Sequence, residues 1–137
     1  MKPSVLVVDD EPIVRKSCRL VLEAAGWQVL EAGSAAGAIA LLASATPRLL
    51  LVDLKMPLED GTRLIGRLRE MGIRTPAVLM SGYSTEDTAR DAERLGALAF
   101  LGKPFTPDEL TDTIQRVLNR IEKEEDGHGQ SKDPGYR

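Results

Sequence analysis

The sequence predicts an α/β domain built on a doubly wound, five-stranded parallel sheet with helices on both faces. Three observations predict it. Short apolar runs alternate five times with segments of helical periodicity. The runs are apolar throughout instead of alternating, so both of their faces need cover, as in a parallel sheet between helix layers. Polar residues with useful chemistry follow the runs: Asp9, Asp53, Ser81 and Lys103. Right-handed crossovers leave few topologies, of which strand order 2-1-3-4-5 is favoured. Ligands then bind beyond the carboxyl ends of the strands where the order reverses, between strands one and three.

The elements follow in turn. Val5-Leu6-Val7-Val8 is the first strand, stopping at Asp9. From Pro12 to Ala25 the apolar residues Ile13, Leu20, Val21 and Ala24 recur at helical spacing, and Gly26 stands where a C-terminal cap belongs. Trp27 to Ala32 reads as the second strand, and Ser34 caps a helix carrying Ala38, Ile39, Leu41 and Leu42. Thr46-Pro47 breaks that helix, because a residue before proline avoids helical geometry. Leu49 to Val52 is the third strand. A loop with Pro57 and Gly61 leads to a helix with Leu64, Ile65, Leu68 and Met71 inward. Ala77 to Met80 is the fourth strand, a helix spans Thr85 to Leu95, and Leu98 to Leu101 is the fifth strand. The last helix starts at Pro107 and repeats Leu110, Ile114, Val117, Leu118 and Ile121. Past Glu124 the chain turns polar and glycine-bearing, so the expected organisation is one domain over 1–124 and a flexible tail or linker stub over 125–137.

Composition narrows the function. The chain has 137 residues, room for one hydrophobic core, and a net charge of −3. That charge offers nothing to neutralise a phosphate backbone, so direct nucleic-acid binding is not expected. A lone cysteine, Cys18, forms no internal disulfide and fits a reducing cytosol. No charged-then-apolar leader opens the sequence, and no apolar run approaches the roughly 20 residues that span a bilayer. A cytoplasmic domain without membrane contact is expected.

Asp9 and Asp10 end strand one, and Asp53 ends strand three, so three carboxylates converge at the switch point. Such like charges raise one another's pKa unless a cation compensates. A hard divalent ion held by one or two carboxylates and several waters, Mg²⁺ or Mn²⁺, meets that need. Read singly, Asp10 or Glu11 also serves as a helix cap ahead of Pro12. Acids here repel a bare phosphate, which sets the site apart from glycine-rich nucleotide loops. Lys103 supplies counter-charge and a partner for a phosphoryl oxygen, and Ser81 a hydroxyl donor; their other readings are a solvated lysine and a turn residue before Gly82.

Together Asp9-Asp10-Glu11-Pro12, Val52-Asp53-Leu54-Lys55-Met56-Pro57 with Asp60-Gly61, Met80-Ser81-Gly82-Tyr83 and Leu101-Gly102-Lys103-Pro104-Phe105 resemble the receiver domains of two-component response regulators, over about residues 4–122. The resemblance implies a flavodoxin-like fold, like that of single-domain chemotaxis regulators. It implies phosphorylation of Asp53 by a sensor histidine kinase or a histidine phosphotransfer protein. It further implies that Asp10, Asp53 and the backbone carbonyl of Lys55 ligate the metal, with Asp9 acting through water. Ser81 matches the switch hydroxyl, and Lys103 the family's lysine, with a cis bond to Pro104. Phe100 falls where the family has its rotating aromatic, and reads equally as a plain core residue. Lys55 and Tyr83 occupy the positions that tune phosphoryl lifetime. A phosphatase of the haloacid-dehalogenase type needs a second acid two residues after its nucleophile, where this chain has Lys55. The downstream effector is not encoded in any motif. The fourth helix, fifth strand and fifth helix offer a dimer face, although Arg90, Arg94 and Arg116 with Asp91 and Glu93 read equally as a solvated surface.

Overall fold

A computed structural model of the chain describes residues 2–82 and 86–130; for 86, 88 and 126–130 the description extends to the backbone alone. Five strands, β1 (Ser4–Val8), β2 (Gln28–Ala32), β3 (Leu49–Asp53), β4 (Ala77–Ser81) and β5 (Ala99–Gly102), alternate with five helices. These are α1 (Pro12–Ala24), α2 (Ala35–Leu42), α3 (Gly61–Glu70), α4 (Glu86–Arg94) and α5 (Pro107–Gln130). The sheet order is β2-β1-β3-β4-β5 and every pairing is parallel.

Side-chain alternation along the strands divides the core into two layers. Val5, Val7, Leu49, Leu51, Val78 and Met80 pack under α1 and α5, against Cys18, Leu22, Leu110 and Ile114. Leu6, Val8, Leu50, Val52 and Leu79 face α2, α3 and α4 through Ala38, Leu64, Ile65, Leu68 and Ala92. Full burial of such side chains contributes about 1.5–3 kcal/mol each, so β1, β3 and β4, apolar on both faces, form a rigid platform for whatever sits at their carboxyl ends.

The helix starts use the side chains that the sequence offers. Ser34 Oγ accepts from the Gly37 amide at 3.0 Å, and Asp60 Oδ1 from the Arg63 amide at 2.9 Å. Thr106 and Glu109 exchange backbone-to-side-chain bonds of 2.8 and 3.1 Å, a capping box that fixes the start of α5.

Two expectations need correction. On α1, Ile13 and Leu20 are exposed, and the inward stripe is Val14, Cys18, Val21 and Leu22. Cys18 is thus a core residue; burial pushes its thiol up to about 11. Met71 is likewise exposed, because α3 ends at Glu70 and Met71 is its C-cap. The last helix also continues past Glu124, to Gln130: Glu122, Lys123, Glu124 and Glu125 are good helix formers with no stop signal before Gly127, and Glu125 reaches Arg48 at 3.4 Å. Residues 131–137 lie outside the described residues, as does Thr85, the expected start of the fourth helix. Among the described residues no helix is long and apolar enough to cross a membrane.

Candidate functional site

At the carboxyl ends of β1 and β3, one carboxylate oxygen each from Asp9, Asp10 and Asp53 lies within 4.8 Å of the others. The parallel register sets this up: Val8 pairs with Val52, so the chains emerge side by side into Asp9 and Asp53. Asp9 is fully buried, Asp53 nearly so, and Asp10 half-buried. The N-cap of α1 is Glu11, whose side chain makes no capping bond, and Asp9 Oδ1 accepts the Glu11 amide at 2.9 Å.

Lys103 enters from the end of β5, spanning the gap. Its Nζ lies 2.9 Å from Asp9 Oδ2, 3.2 Å from Asp53 Oδ1 and 3.8 Å from Glu11 Oε1. The Lys103 amide donates to the Ser81 carbonyl at 2.8 Å, and the Lys103–Pro104 bond is cis. Burial alone would lower the ammonium's pKa, but the hydrogen bond to Asp9 and the charges of Asp9 and Asp53 outweigh it and hold Lys103 above its ordinary range. Burial and the neighbouring Asp9 charge raise the Asp53 carboxyl, against the pull of Lys103 and a backbone hydrogen bond from Lys55. One lysine therefore does not satisfy three acids, and the excess negative charge is built into the pocket.

The donor set suits a hard divalent cation. All three side chains offer carboxylate oxygen, close enough together to share one ion, and no thiol or imidazole competes among the described residues. Ser81 ends β4, fully buried, in register with Gly102. Phe100 is half-buried on β5, beside Ala89, Ala92 and Ala97 in a cleft under α4. The side chain of Lys55 is exposed in the loop after β3, and Tyr83 lies outside the described residues.

Two contributors to the site went unread in the sequence. Arg15 donates from Nη1 to the Asp9 carbonyl at 2.6 Å, and Gly61 packs against the backbone of Asp53. A basic residue one turn into the helix after an acidic pair was the available signal for the first. For the second, Gly61 stands in the sequence as a loop breaker and as part of the Asp60-Gly61 motif, neither of which signals contact with the Asp53 backbone.

An oxygen-donor pocket with a half-buried lysine lies at the switch point of a doubly wound sheet, where such folds bind their ligands, and its acids suit a divalent cation. The comparisons agree. Residues 5–115 match the response regulator receiver domain, and the chain belongs to that family, a phosphoacceptor signalling module of two-component systems and not a catalytic enzyme. It is 29% identical over 118 residues to sporulation initiation phosphotransferase F of Bacillus subtilis, covering 86% of this chain and 95% of that protein. It is 36% identical over 114 residues to regulatory protein AtoC of Escherichia coli, covering 83% of this chain but only 25% of that protein. Among solved structures, a CheY-like receiver domain protein of Methanospirillum hungatei superposes with a TM-score of 0.83 at 27% identity, over 90% of this chain and 99% of that one. Chemotaxis protein CheY4 of Vibrio cholerae gives 0.81 at 28% identity, over 85% and 99%.

Proposed function

We propose that the chain accepts a phosphoryl group on Asp53 from a sensor histidine kinase or histidine phosphotransfer protein in the cytoplasm, in a reaction that needs Mg²⁺ or Mn²⁺. The observation that carries this reading is the placement of Lys103 Nζ, 3.2 Å from Asp53 Oδ1 and 2.9 Å from Asp9 Oδ2, inside a cluster of three carboxylates.

In the proposed step a carboxylate oxygen of Asp53 attacks phosphorus, a P–O bond forms, and the P–N bond to the donor imidazole breaks, with the imidazole taking up a proton as it leaves. Asp10, Asp53 and the Lys55 carbonyl would hold the cation, with Asp9 acting through water, and a bound cation would supply charge neutralisation for the transferring group. Lys103 pairs with a phosphoryl oxygen. The new group carries close to two negative charges in place of the carboxylate's one, and brings three acceptors. Ser81 donates to one of these acceptors, Phe100 turns into the space it leaves, and the α4–β5–α5 face changes shape for a downstream effector or for a second copy of the chain. The phosphoryl group shifts this equilibrium only by the differential stabilisation it supplies. In this reading the bulk of the residues at positions 55 and 83 slows hydrolysis, so Lys55→Ala with Tyr83→Ala shortens the phosphoryl lifetime.

The test is intact-protein mass after incubation with magnesium and acetyl phosphate, for wild type and Asp53→Asn together. The reading expects one phosphoryl adduct on the wild type alone, abolished by chelator. An adduct on both proteins would move the acceptor elsewhere, and none on either would point to a phosphorylation-independent binding module.

A further inference from the structure

Every polar group of Asp9 is held by a different part of the fold. Its amide donates to the Ala32 carbonyl at 3.1 Å, Oδ1 accepts the Glu11 amide, and Oδ2 accepts Lys103. Its carbonyl, which belongs to the peptide joining Asp9 to Asp10, accepts from Arg15 Nη1 at 2.6 Å. Arg15 reaches back from the first turn of α1, the direction that helical side chains favour. There its guanidinium is fixed a second time, as Nε donates to Glu31 Oε1 at 3.1 Å. Glu31 is fixed in turn by Arg19, whose Nε lies 2.6 Å from Oε2. Below the guanidinium is Gly33, where an added Cβ would come within 3.2 Å of Arg15 Nη1.

The chain of contacts therefore runs from the edge strand β2 to the one peptide that links two members of the acidic cluster. Rotating that peptide would swing Asp10 away from Asp53. We propose that Arg15 is a positioning residue for the divalent cation: it locks the Asp9–Asp10 peptide so that the three carboxylates face a common point. The inference rests on the reading of this pocket as a metal site. The effect is one of orientation more than charge, because Glu31 already offsets the guanidinium. Outer-shell partners of this kind change metal affinity by roughly 10–100-fold when removed.

Arg19 provides the control. It shares Glu31 and also bonds Glu23 at 2.8 Å, but has no bond to Asp9. The experiment is Mn²⁺ titration of the full chain, read by the electron-paramagnetic-resonance signal of free hexaaqua manganese, well below the melting temperature and with circular dichroism on each protein. Arg15→Ala raises the dissociation constant roughly tenfold or more, whereas Arg19→Ala, which loosens Glu31 but breaks no bond to the Asp9–Asp10 peptide, raises it clearly less. Arg15→Lys falls between, since an ammonium reaches the Asp9 carbonyl but cannot also bridge to Glu31 as a planar fork. Equal weakening by Arg19→Ala and Arg15→Ala, or none by Arg15→Ala, overturns the inference. Should Arg15→Ala not fold, wild-type affinity in Arg15→Lys overturns it as well. A wild type that binds no manganese removes the metal reading itself, and this inference with it.

Discussion

The α-carbon of Gly61 rests on the backbone of Asp53: a Cβ built there would lie 2.5 Å from the Asp53 carbonyl oxygen and 3.1 Å from Leu54 Cα. The Gly61 amide donates to the Leu54 carbonyl at 2.8 Å, so the first residue of α3 is stitched to the end of β3. The obstacle to a side chain is backbone, which cannot swing aside as a flexible side chain would. Gly61→Ala is expected to destabilise the domain by about 1–3 kcal/mol, the usual range for overpacking, seen as a lower urea midpoint. Because the displaced atoms carry Asp53, phosphorylation by acetyl phosphate should also slow in protein that is still folded. A substitution without effect on either would mean that the loop relaxes away.

Among the described ion pairs, Lys103 is the sole cation within 4 Å of the Asp9 carboxylate, and Asp9 has no exposure to water. Removing one partner of a buried pair leaves the other charge uncompensated and typically costs about 3–5 kcal/mol. With the Lys103 side chain 18% exposed, the lower end of that range is expected for Lys103→Ala in chelator. Added magnesium should restore part of the loss, since a divalent ion supplies the missing counter-charge. Melting temperatures with and without magnesium check both halves. Equal melting of variant and wild type in chelator would show that water screens the pair.

The strands and the acidic pocket were legible for one physical reason. A parallel strand covered on both faces must be apolar until it leaves the sheet, so the first polar residue marks its carboxyl end, and Asp9, Asp53, Ser81 and Lys103 all mark such ends. The facing of α1 was not legible, because its apolar residues form two overlapping stripes. Ile13 and Leu20 made one, yet Val14, Cys18 and Leu22 are the stripe that packs, and a cysteine speaks to redox chemistry more readily than to core packing. The contacts of Arg15 and Gly61 were hidden for a different reason. Both act through backbone atoms of other residues, and a backbone partner leaves no trace in side-chain identity.

Asp53 is nearly buried beside Asp9, and its raised carboxyl pKa reports that the charged form is disfavoured there, by burial first and by Asp9 second. The metal-free pocket therefore carries a stored repulsion. Asp53→Asn is expected to melt higher than wild type in chelator. Magnesium should raise the wild-type melting temperature and leave that of the variant nearly unchanged, so the gap narrows or reverses. If the variant melts lower in chelator, the Lys103–Asp53 contact at 3.2 Å outweighs the repulsion.

Glu31 yields a pH signature of opposite sign. The hydrogen bond from Arg19, followed by that from Arg15, holds its carboxyl below the ordinary 4.5. Between the folded value and 4.5 the unfolded chain binds more protons than the folded one, so stability rises with pH across that window. The charged pairs thus contribute fully above about 4.5 and are lost as pH falls through the folded value. Glu31→Gln should have a lower urea midpoint than wild type at neutral pH, and the two should converge on acidification. The wild-type and variant midpoints, followed from neutral pH downward, check this. A gap that persists in acid would assign the role of Glu31 to shape and neutral hydrogen bonding, and the clamp on Arg15 would then not depend on its charge.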